Sequence, residues 1–226
     1  MTSAILVTGG SAGLGAAVVE AAAKAGRQPC VLDRLPPVAD VPHVLVDLAD
    51  TRAAEVATRQ LAEEVGGLDS VVTAAGVDVP GRLADVPRPD WERVIAVDLL
   101  ATAAVIRAAL PYLERSRGHI VTVASTLGLR ALSDATAYCA AKFGVVGLTR
   151  ALAAELAGTV GVTLLVPGGM RTNFFDGRDD QYRPGPGAML NEPADVAAAV
   201  MFALNQPPGC TVRELVVTPA QEPSYP

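Results

Sequence analysis

Short apolar runs alternate with stretches of helical spacing along almost the whole chain. The apolar runs predict strands at residues 4–8, 29–33, 43–47, 70–73, 119–124, 162–166 and 212–217. The stretches between them predict helices at residues 13–25, 51–66, 91–115, 137–157 and 194–204. Strands that are apolar on both sides are typical of a parallel sheet covered by helices on both faces. The pattern therefore predicts an α/β fold with a doubly wound parallel sheet of about seven strands.

Nothing in the sequence divides the 226 residues into separate units. There is no repeat, low-complexity segment or shift in composition, so we expect one domain over residues 1–226. One long connection, residues 167–193, contains the Pro- and Gly-rich stretch 184–187. Connections of this length are commonly lids or binding loops, so residues 173–190 are the expected substrate loop. A disordered insertion is the alternative.

Charge and cysteine content exclude several classes of partner. The 18 basic and 24 acidic residues give a net charge of −6 without a basic stripe, which argues against nucleic acid or an anionic membrane as partner. The cysteines at positions 30, 139 and 210 have no zinc spacing and cannot form a complete disulfide framework. We therefore expect a cytoplasmic protein without a metal site. The uncharged first 19 residues are interrupted by glycines, which favours a buried strand and a turn over a membrane span.

The glycine-rich segment Thr-Gly-Gly-Ser-Ala-Gly-Leu-Gly, residues 8–15, follows the first strand and opens the first helix. Glycines at such a turn let the backbone approach a pyrophosphate at the helix N-terminus. Asp33 ends the next strand, about 20 residues on, where a carboxylate can bind a ribose 2′-hydroxyl. The segment predicts dinucleotide contacts at Gly9, Ser11, Gly13, Leu14 and Gly15.

The end of the second strand bears on which dinucleotide binds. The Asp33 carboxylate would repel a 2′-phosphate and so favours NAD. The neighbouring Arg34 could instead receive that phosphate, which leaves NADP possible. A strand-end turn without a ligand is the alternative for this pair.

Tyr138 and Lys142 are four residues apart near the start of a predicted helix and therefore share one face. Free tyrosine has a pKa of about 10, and an adjacent cation lowers it toward the working range of a general base. Such a tyrosine can take a proton from an alcohol, or return it to a carbonyl, while hydride passes to or from a nicotinamide. Ser125, at the end of the preceding strand, could hydrogen-bond the reacting oxygen. A solvated Tyr–Lys pair is the alternative.

Together these motifs resemble the short-chain dehydrogenase/reductase family over nearly the whole chain. Residues 8–15 match its Thr-Gly-x-x-x-Gly-x-Gly signature, and Ser125, Tyr138 and Lys142 follow its catalytic order and spacing. The resemblance implies a Rossmann-type fold and an NAD(P)-dependent oxidoreductase acting on CH–OH groups. It also implies that Lys142 binds the nicotinamide ribose. The further cofactor contacts implied are Asp47 and Leu48 at the adenine, Ala74, Ala75 and Gly76 beneath the cofactor, and Pro167, Gly168, Met170 and Thr172 at the nicotinamide.

The chain departs from the family pattern at two positions. Thr73 stands where the family has the first Asn of its Asn-Asn-Ala-Gly motif, and Asp98 stands where it usually has a catalytic Asn. The resemblance implies that residue 98 acts through its backbone carbonyl, holding a water that links Lys142 to solvent. The Asp98 carboxylate adds negative charge, so we expect higher pKa values for Lys142 and Tyr138 and an alkaline optimum for oxidation. A buried Asp98 without a kinetic role is the alternative.

The function predicted is interconversion of a secondary alcohol and a ketone. One alternative is reduction of a 3-oxoacyl thioester by NADPH, for which a carrier protein would need basic residues near the pocket. A non-catalytic dinucleotide sensor is a second alternative, favoured slightly by Thr73 and Asp98. The resemblance also implies a homodimer or homotetramer. The basic candidates are Arg130, Arg171, Arg178 and Arg183. The candidates for an apolar pocket wall are Phe174, Phe175, Tyr182 and Met189, and a lid packed on itself is the alternative for these four side chains.

Overall fold

The computed structural model describes residues 4–225, and its strands form one seven-stranded parallel sheet. The strands are β1 (Ala4–Thr8), β2 (Gln28–Asp33), β3 (His43–Leu45), β4 (Ser70–Thr73), β5 (His119–Val123), β6 (Gly161–Pro167) and β7 (Glu214–Val217). Their order in the sheet is β3-β2-β1-β4-β5-β6-β7, so the direction of winding reverses between β1 and β4. This is the predicted Rossmann-type arrangement, in which the crevice at the reversal is the usual ligand site.

Helices cover both faces of the sheet. The helices are α1 (Gly13–Lys24), α2 (Thr51–Glu64), α3 (Arg88–Ile95), α4 (Ala101–Ser116), α5 (Thr136–Glu155) and α6 (Pro193–Leu204). Strand side chains alternate between the faces, so Leu6 packs with α2, α4 and α5, whereas Ile5 and Val7 pack with α1 and α6. Both layers are built from Ala, Val, Leu and Ile, which accounts for the low charge of the sequence.

The predicted helix at residues 91–115 is longer than expected and contains a π-helical segment. Residues Ala96–Leu100 adopt π geometry between α3 and α4, and Asp98 lies in this segment. Single π-helical turns inside α-helices are frequent at functional sites. The run Arg88–Ser116 is long and apolar enough to cross a membrane, but 56% of its most apolar window is buried inside the protein. This burial indicates a helix of the protein core.

Three predicted strands are shorter than expected. β5 ends at Val123 rather than at residue 124. β3 ends at Leu45 and leaves Asp47 in a turn, where its carboxylate accepts the Ala49 N–H. Asp50 then caps α2 by accepting the N–H groups of Arg52 and Ala53. β7 begins at residue 214 rather than 212. The early end of β3 places Asp47 at the carboxyl edge of the sheet, where an open cleft of about 1430 Å³ lies.

Candidate active site

The glycine turn after β1 is held against the loop that follows β4. Gly9 has a φ of +69°, and a Cβ there would lie 2.8 Å from the Cα of Ala75. A side chain at Gly15 would collide with the carbonyl oxygen of Gly9. No side chain caps α1, and its first turn carries no acidic residue. The free N–H groups at this end of α1 therefore offer an anion site that fits a pyrophosphate.

The Asp33 carboxylate is fixed at the edge of this turn. One oxygen accepts the Ser11 N–H at 3.0 Å, and the other accepts the Arg34 N–H at 2.6 Å. The Ser11 hydroxyl donates to the Leu35 carbonyl at 2.5 Å. The turn and the acidic residue predicted to serve one ligand therefore lie together, with the carboxylate oriented by backbone donors.

Asp47 lies on the far side of the same cleft and forms an ion pair that the sequence did not indicate. Both of its oxygens accept from the Arg93 guanidinium on α3, at 3.0 and 3.1 Å. The Ala49 N–H lowers the pKa of Asp47, burial opposes this, and Arg93 lowers it further. Arg93 also lines the cleft and stands beside the residues expected at an adenine.

Most predicted cofactor residues line one continuous cleft. Ser11 and Gly15 do not, because Ser11 bonds back to the end of β2 and Gly15 packs under the Gly9 carbonyl. These two residues support the turn. The predicted residues in the cleft wall are Gly9, Gly13, Leu14, Asp33, Arg34, Asp47, Leu48, Ala74, Ala75, Gly76, Ser125, Tyr138, Lys142, Pro167, Gly168, Met170 and Thr172.

Ser125, Tyr138 and Lys142 line the same cleft as the glycine turn. Ser125 follows β5, and its hydroxyl oxygen accepts the Leu127 N–H at 3.1 Å. The Lys142 ammonium lies 5.3 Å from the centre of the Tyr138 ring and donates to the Val123 carbonyl at 3.1 Å. One turn of α5 thus presents the phenol and the ammonium to the same space.

Asp98 lies directly behind the lysine. Its Oδ2 is 3.2 Å from Lys142 Nζ, and the two side chains are 0% and 5% exposed. Its Oδ1 accepts the Val77 N–H at 2.8 Å. Asp98 does not line the cleft and reaches the reacting atoms only through Lys142.

The surroundings of Tyr138, taken together, raise the pKa of its phenol and so oppose its ionisation. Burial raises the pKa of Tyr138, and the carboxylates of Asp98 and Asp78 raise it further. The Lys142 ammonium and the Ser125 hydrogen bond act in the opposite direction but do not outweigh these effects. Burial would lower the pKa of Lys142, but Asp98 raises it above the ordinary value and keeps the lysine protonated.

The expected substrate loop lies beside the phenol. The Phe174 ring lies 5.6 Å from the Tyr138 ring, centre to centre. The Arg178 guanidinium covers Phe174 and Phe175 at 4.6 and 4.9 Å from their ring centres. It also lies 3.1 Å from Asp78 Oδ2, and Asp78 follows residues 74–76, which line the cleft and are called its floor below. Phe174 and Phe175 line the cleft together with Tyr182 and Met189, and the two phenylalanine rings also pack on each other with centres 5.5 Å apart. Their role as the wall of a substrate pocket stays a prediction.

The C-terminal tail contributes a further wall. A Glu222 oxygen accepts the Gly169 N–H at 2.9 Å. The Ser224 hydroxyl lies 2.6 Å from Thr126 Oγ1 and 2.6 Å from the other Glu222 oxygen. The tail therefore fixes the backbone beside the expected nicotinamide segment. No periodic pattern or motif in the sequence indicates this contact.

Comparison with known proteins agrees with this geometry. The family described as short chain dehydrogenase matches residues 3–183, so the chain belongs to the short-chain dehydrogenase/reductase family. It is an oxidoreductase of that family with an NAD(P)-binding fold.

Two relatives match most of the chain and most of their own length. An uncharacterized oxidoreductase of Staphylococcus aureus is 34% identical, over 95% of this chain and 96% of that protein. L-fucose dehydrogenase of Mus musculus is 30% identical, over 98% of this chain and 89% of that protein. Glycine betaine reductase of Emericella nidulans is also 30% identical, but the chain spans only 19% of its length.

Solved structures share the fold. The ligand-free aldohexose dehydrogenase of Thermoplasma acidophilum superimposes with a TM-score of 0.85 at 25% identity, over 96% of this chain and 92% of that one. An alcohol dehydrogenase of Thermococcus sibiricus, complexed with 5-hydroxy-NADP, gives a TM-score of 0.88 at 24% identity and full coverage of both chains.

Replacing Asp98 by Asn should move the pH dependence of alcohol oxidation to lower pH. Asn keeps an acceptor for the Val77 N–H but removes the negative charge that raises the pKa of Tyr138. Oxidation needs Tyr138 to accept a proton, so its rate should rise at a lower pH than in the wild type. We expect a shift of about one unit in the pH–rate profile, with Asp90→Asn on α3 as control. An unmoved profile would contradict the electrostatic role of Asp98.

Proposed function

We propose that this protein is an NAD(P)-dependent oxidoreductase that interconverts a secondary alcohol and a ketone by hydride transfer. The observation that carries the proposal is that Ser125, Tyr138 and Lys142 line the same cleft as the glycine turn. Its similarity to proteins named as dehydrogenases supports the same reaction class.

The chain's own residues provide the proton transfer. In oxidation, the ionised Tyr138 oxygen takes the proton of the substrate hydroxyl and becomes a neutral phenol, and the Lys142 ammonium stabilises the phenolate before the transfer. In reduction, the neutral phenol returns that proton to the carbonyl oxygen. The Ser125 hydroxyl donates to the substrate oxygen. A nicotinamide bound in the cleft would accept or donate the hydride. The Asp98 carbonyl accepts the Thr102 hydroxyl at 2.9 Å, and we propose that the same carbonyl oxygen holds a water that links Lys142 to solvent.

The thioester-reductase alternative receives little support from the basic residues proposed for it. Arg178 is buried against Asp78. Arg171 pairs with Glu192 at 2.7 Å. Arg183 pairs with Asp180 at 3.4 Å. A carrier-protein surface would need these charges exposed together and uncompensated.

We further propose a cytoplasmic homo-oligomer. Exposed apolar side chains occur on adjoining helices at Leu100 and Phe143, and on the last helix and strand at Phe202 and Val216. Burying such side chains in an interface between copies stabilises association. The three cysteines are unpaired, which agrees with a reducing compartment. Light scattering on the purified protein should give a dimer or tetramer mass, and a monomer at micromolar concentration would contradict this proposal.

Tyr138→Phe tests the catalytic proposal. Loss of the phenolic oxygen should lower kcat by at least about 100-fold while dinucleotide binding stays within about twofold of the wild type. Tyr112→Phe, on α4 away from the cleft, is the matched control and should behave as the wild type. Secondary alcohols, sugars, steroids and acyl thioesters are assayed with NAD and NADP side by side. A wild type that binds dinucleotide but turns over no member of this panel would favour the sensor alternative.

Asp33→Asn tests the proposed preference for NAD. The amide keeps one acceptor oxygen for the Ser11 N–H but no longer repels a 2′-phosphate. We expect the ratio of kcat/KM for NAD over that for NADP to fall about tenfold, which corresponds to about 1.4 kcal/mol. The exposed Asp40→Asn serves as control. If the ratio is unchanged in Asp33→Asn, the carboxylate does not select the cofactor.

A further inference from the structure

A buried ion pair joins the substrate loop to the edge of the sheet. The Arg178 guanidinium lies 3.1 Å from Asp78 Oδ2, and the two side chains are 10% and 6% exposed. Arg178 belongs to the loop, whereas Asp78 comes shortly after β4 and the floor of the cleft. The pair therefore links a segment without long helices or strands to the part of the fold that positions the cofactor residues.

The same arginine reaches the phenol through an aromatic ring. Its guanidinium lies over Phe174, and Phe174 packs on the Tyr138 ring at 5.6 Å between ring centres. The contacts run without a break from Asp78 through Arg178 and Phe174 to Tyr138. Movement of Arg178 away from Asp78 would consequently remove the support of the ring that lies against the phenol.

Two of the pair's polar atoms have no partner outside the ion pair. Among the described residues, Asp78 Oδ1 and Arg178 Nε are buried without a hydrogen-bond partner, whereas Arg178 Nη2 is the atom that faces Asp78 Oδ2. A buried ion pair offsets the loss of hydration only when its remaining donors and acceptors are also satisfied. The contact is therefore a weak closure that opening of the loop can break, rather than a fixed part of the core.

The charges that face Tyr138 come from every element around it. Lys142 on α5 and Arg178 on the loop are positive, Asp98 in the π-helical segment and Asp78 after β4 are negative, and Ser125 after β5 is neutral. With the loop closed, each carboxylate has a cationic partner. With Arg178 withdrawn, Asp78 would stand uncompensated beside Asp98 and Tyr138.

We propose that Arg178 is a positioning residue whose ion pair with Asp78 closes the substrate loop over Tyr138 and balances the charge of the proton-transferring site only in the closed state. The inference rests on the proposed function, because it concerns the tyrosine assigned there as acid and base. An open loop leaves less of Tyr138 ionised at a given pH, since the unpaired Asp78 carboxylate raises the pKa of Tyr138. Substrate packing against Phe174 favours closure and so couples binding to activation of the base.

The test compares Arg178→Met with the double variant Arg178→Met/Asp78→Asn. Met keeps an apolar stem over the phenylalanines and removes the charge. Arg178→Met should raise KM and move the pH–rate profile of oxidation to higher pH by about one unit. The double variant should return the pH profile to near the wild-type position while KM stays raised. Arg178→Lys should retain most of the wild-type profile, because it restores the charge.

The matched control is Arg183→Met in the same loop, which removes an arginine whose ion pair is with a neighbouring loop residue, Asp180. It should leave the pH profile unmoved. An unmoved profile in Arg178→Met, or an equal shift in the single and double variants, would overturn the inference.

A second readout does not depend on turnover. The tyrosinate absorbance of each variant is titrated, and the same titration in the Tyr138→Phe background is subtracted to isolate Tyr138. The Tyr138 transition should move to higher pH in Arg178→Met and return in the double variant. If the proposed reaction is wrong, this titration still reports on the ion pair. If the titration does not move while the wild type turns over alcohols, only the inference about Arg178 fails.

Discussion

The arrangement of the site depends on one buried ammonium. Lys142 is held between the Val123 carbonyl and the Asp98 carboxylate, and a buried cation is tolerated only with such partners. The carbonyl belongs to the end of β5 and the carboxylate to the π-helical segment. Lys142 therefore ties α5 both to the sheet and to the neighbouring helix, and the same contacts place the Tyr138 phenol one turn away.

Much of the fold could be predicted from the sequence because strands buried on both faces consist of continuous apolar runs. Continuous apolar runs mark the strands to within two residues of their observed ends, since the inner strands β1, β4, β5 and β6 are almost wholly buried. The edge strands β3 and β7 are partly exposed, and they show the largest differences from the predicted bounds. The glycine turn, Asp33 and the Tyr138–Lys142 pair could also be predicted, because each needs a fixed residue type at a fixed spacing. The role of each of these residues remains a prediction.

The contacts that the sequence does not predict join residues that are far apart along the chain and are not related by a helix or strand period. Arg93 reaches Asp47 from another element, Arg178 reaches Asp78 across about a hundred residues, and Glu222 holds Gly169 from the tail. Such pairs arise from tertiary packing of turns and loops, where no period of 2 or 3.6 residues relates the partners. The π-helical segment is hidden for a similar reason, because one added residue barely alters an apolar pattern.

The tail has a practical consequence for handling the protein. Glu222 and Ser224 hold backbone and side chains that border the cleft, although they are distant in sequence from α5. A protease cut or a fused affinity tag at this end would disturb the cofactor side of the cleft without touching a catalytic group. A preparation altered there could keep its fold and thermal stability and still give a misleading measure of dinucleotide affinity.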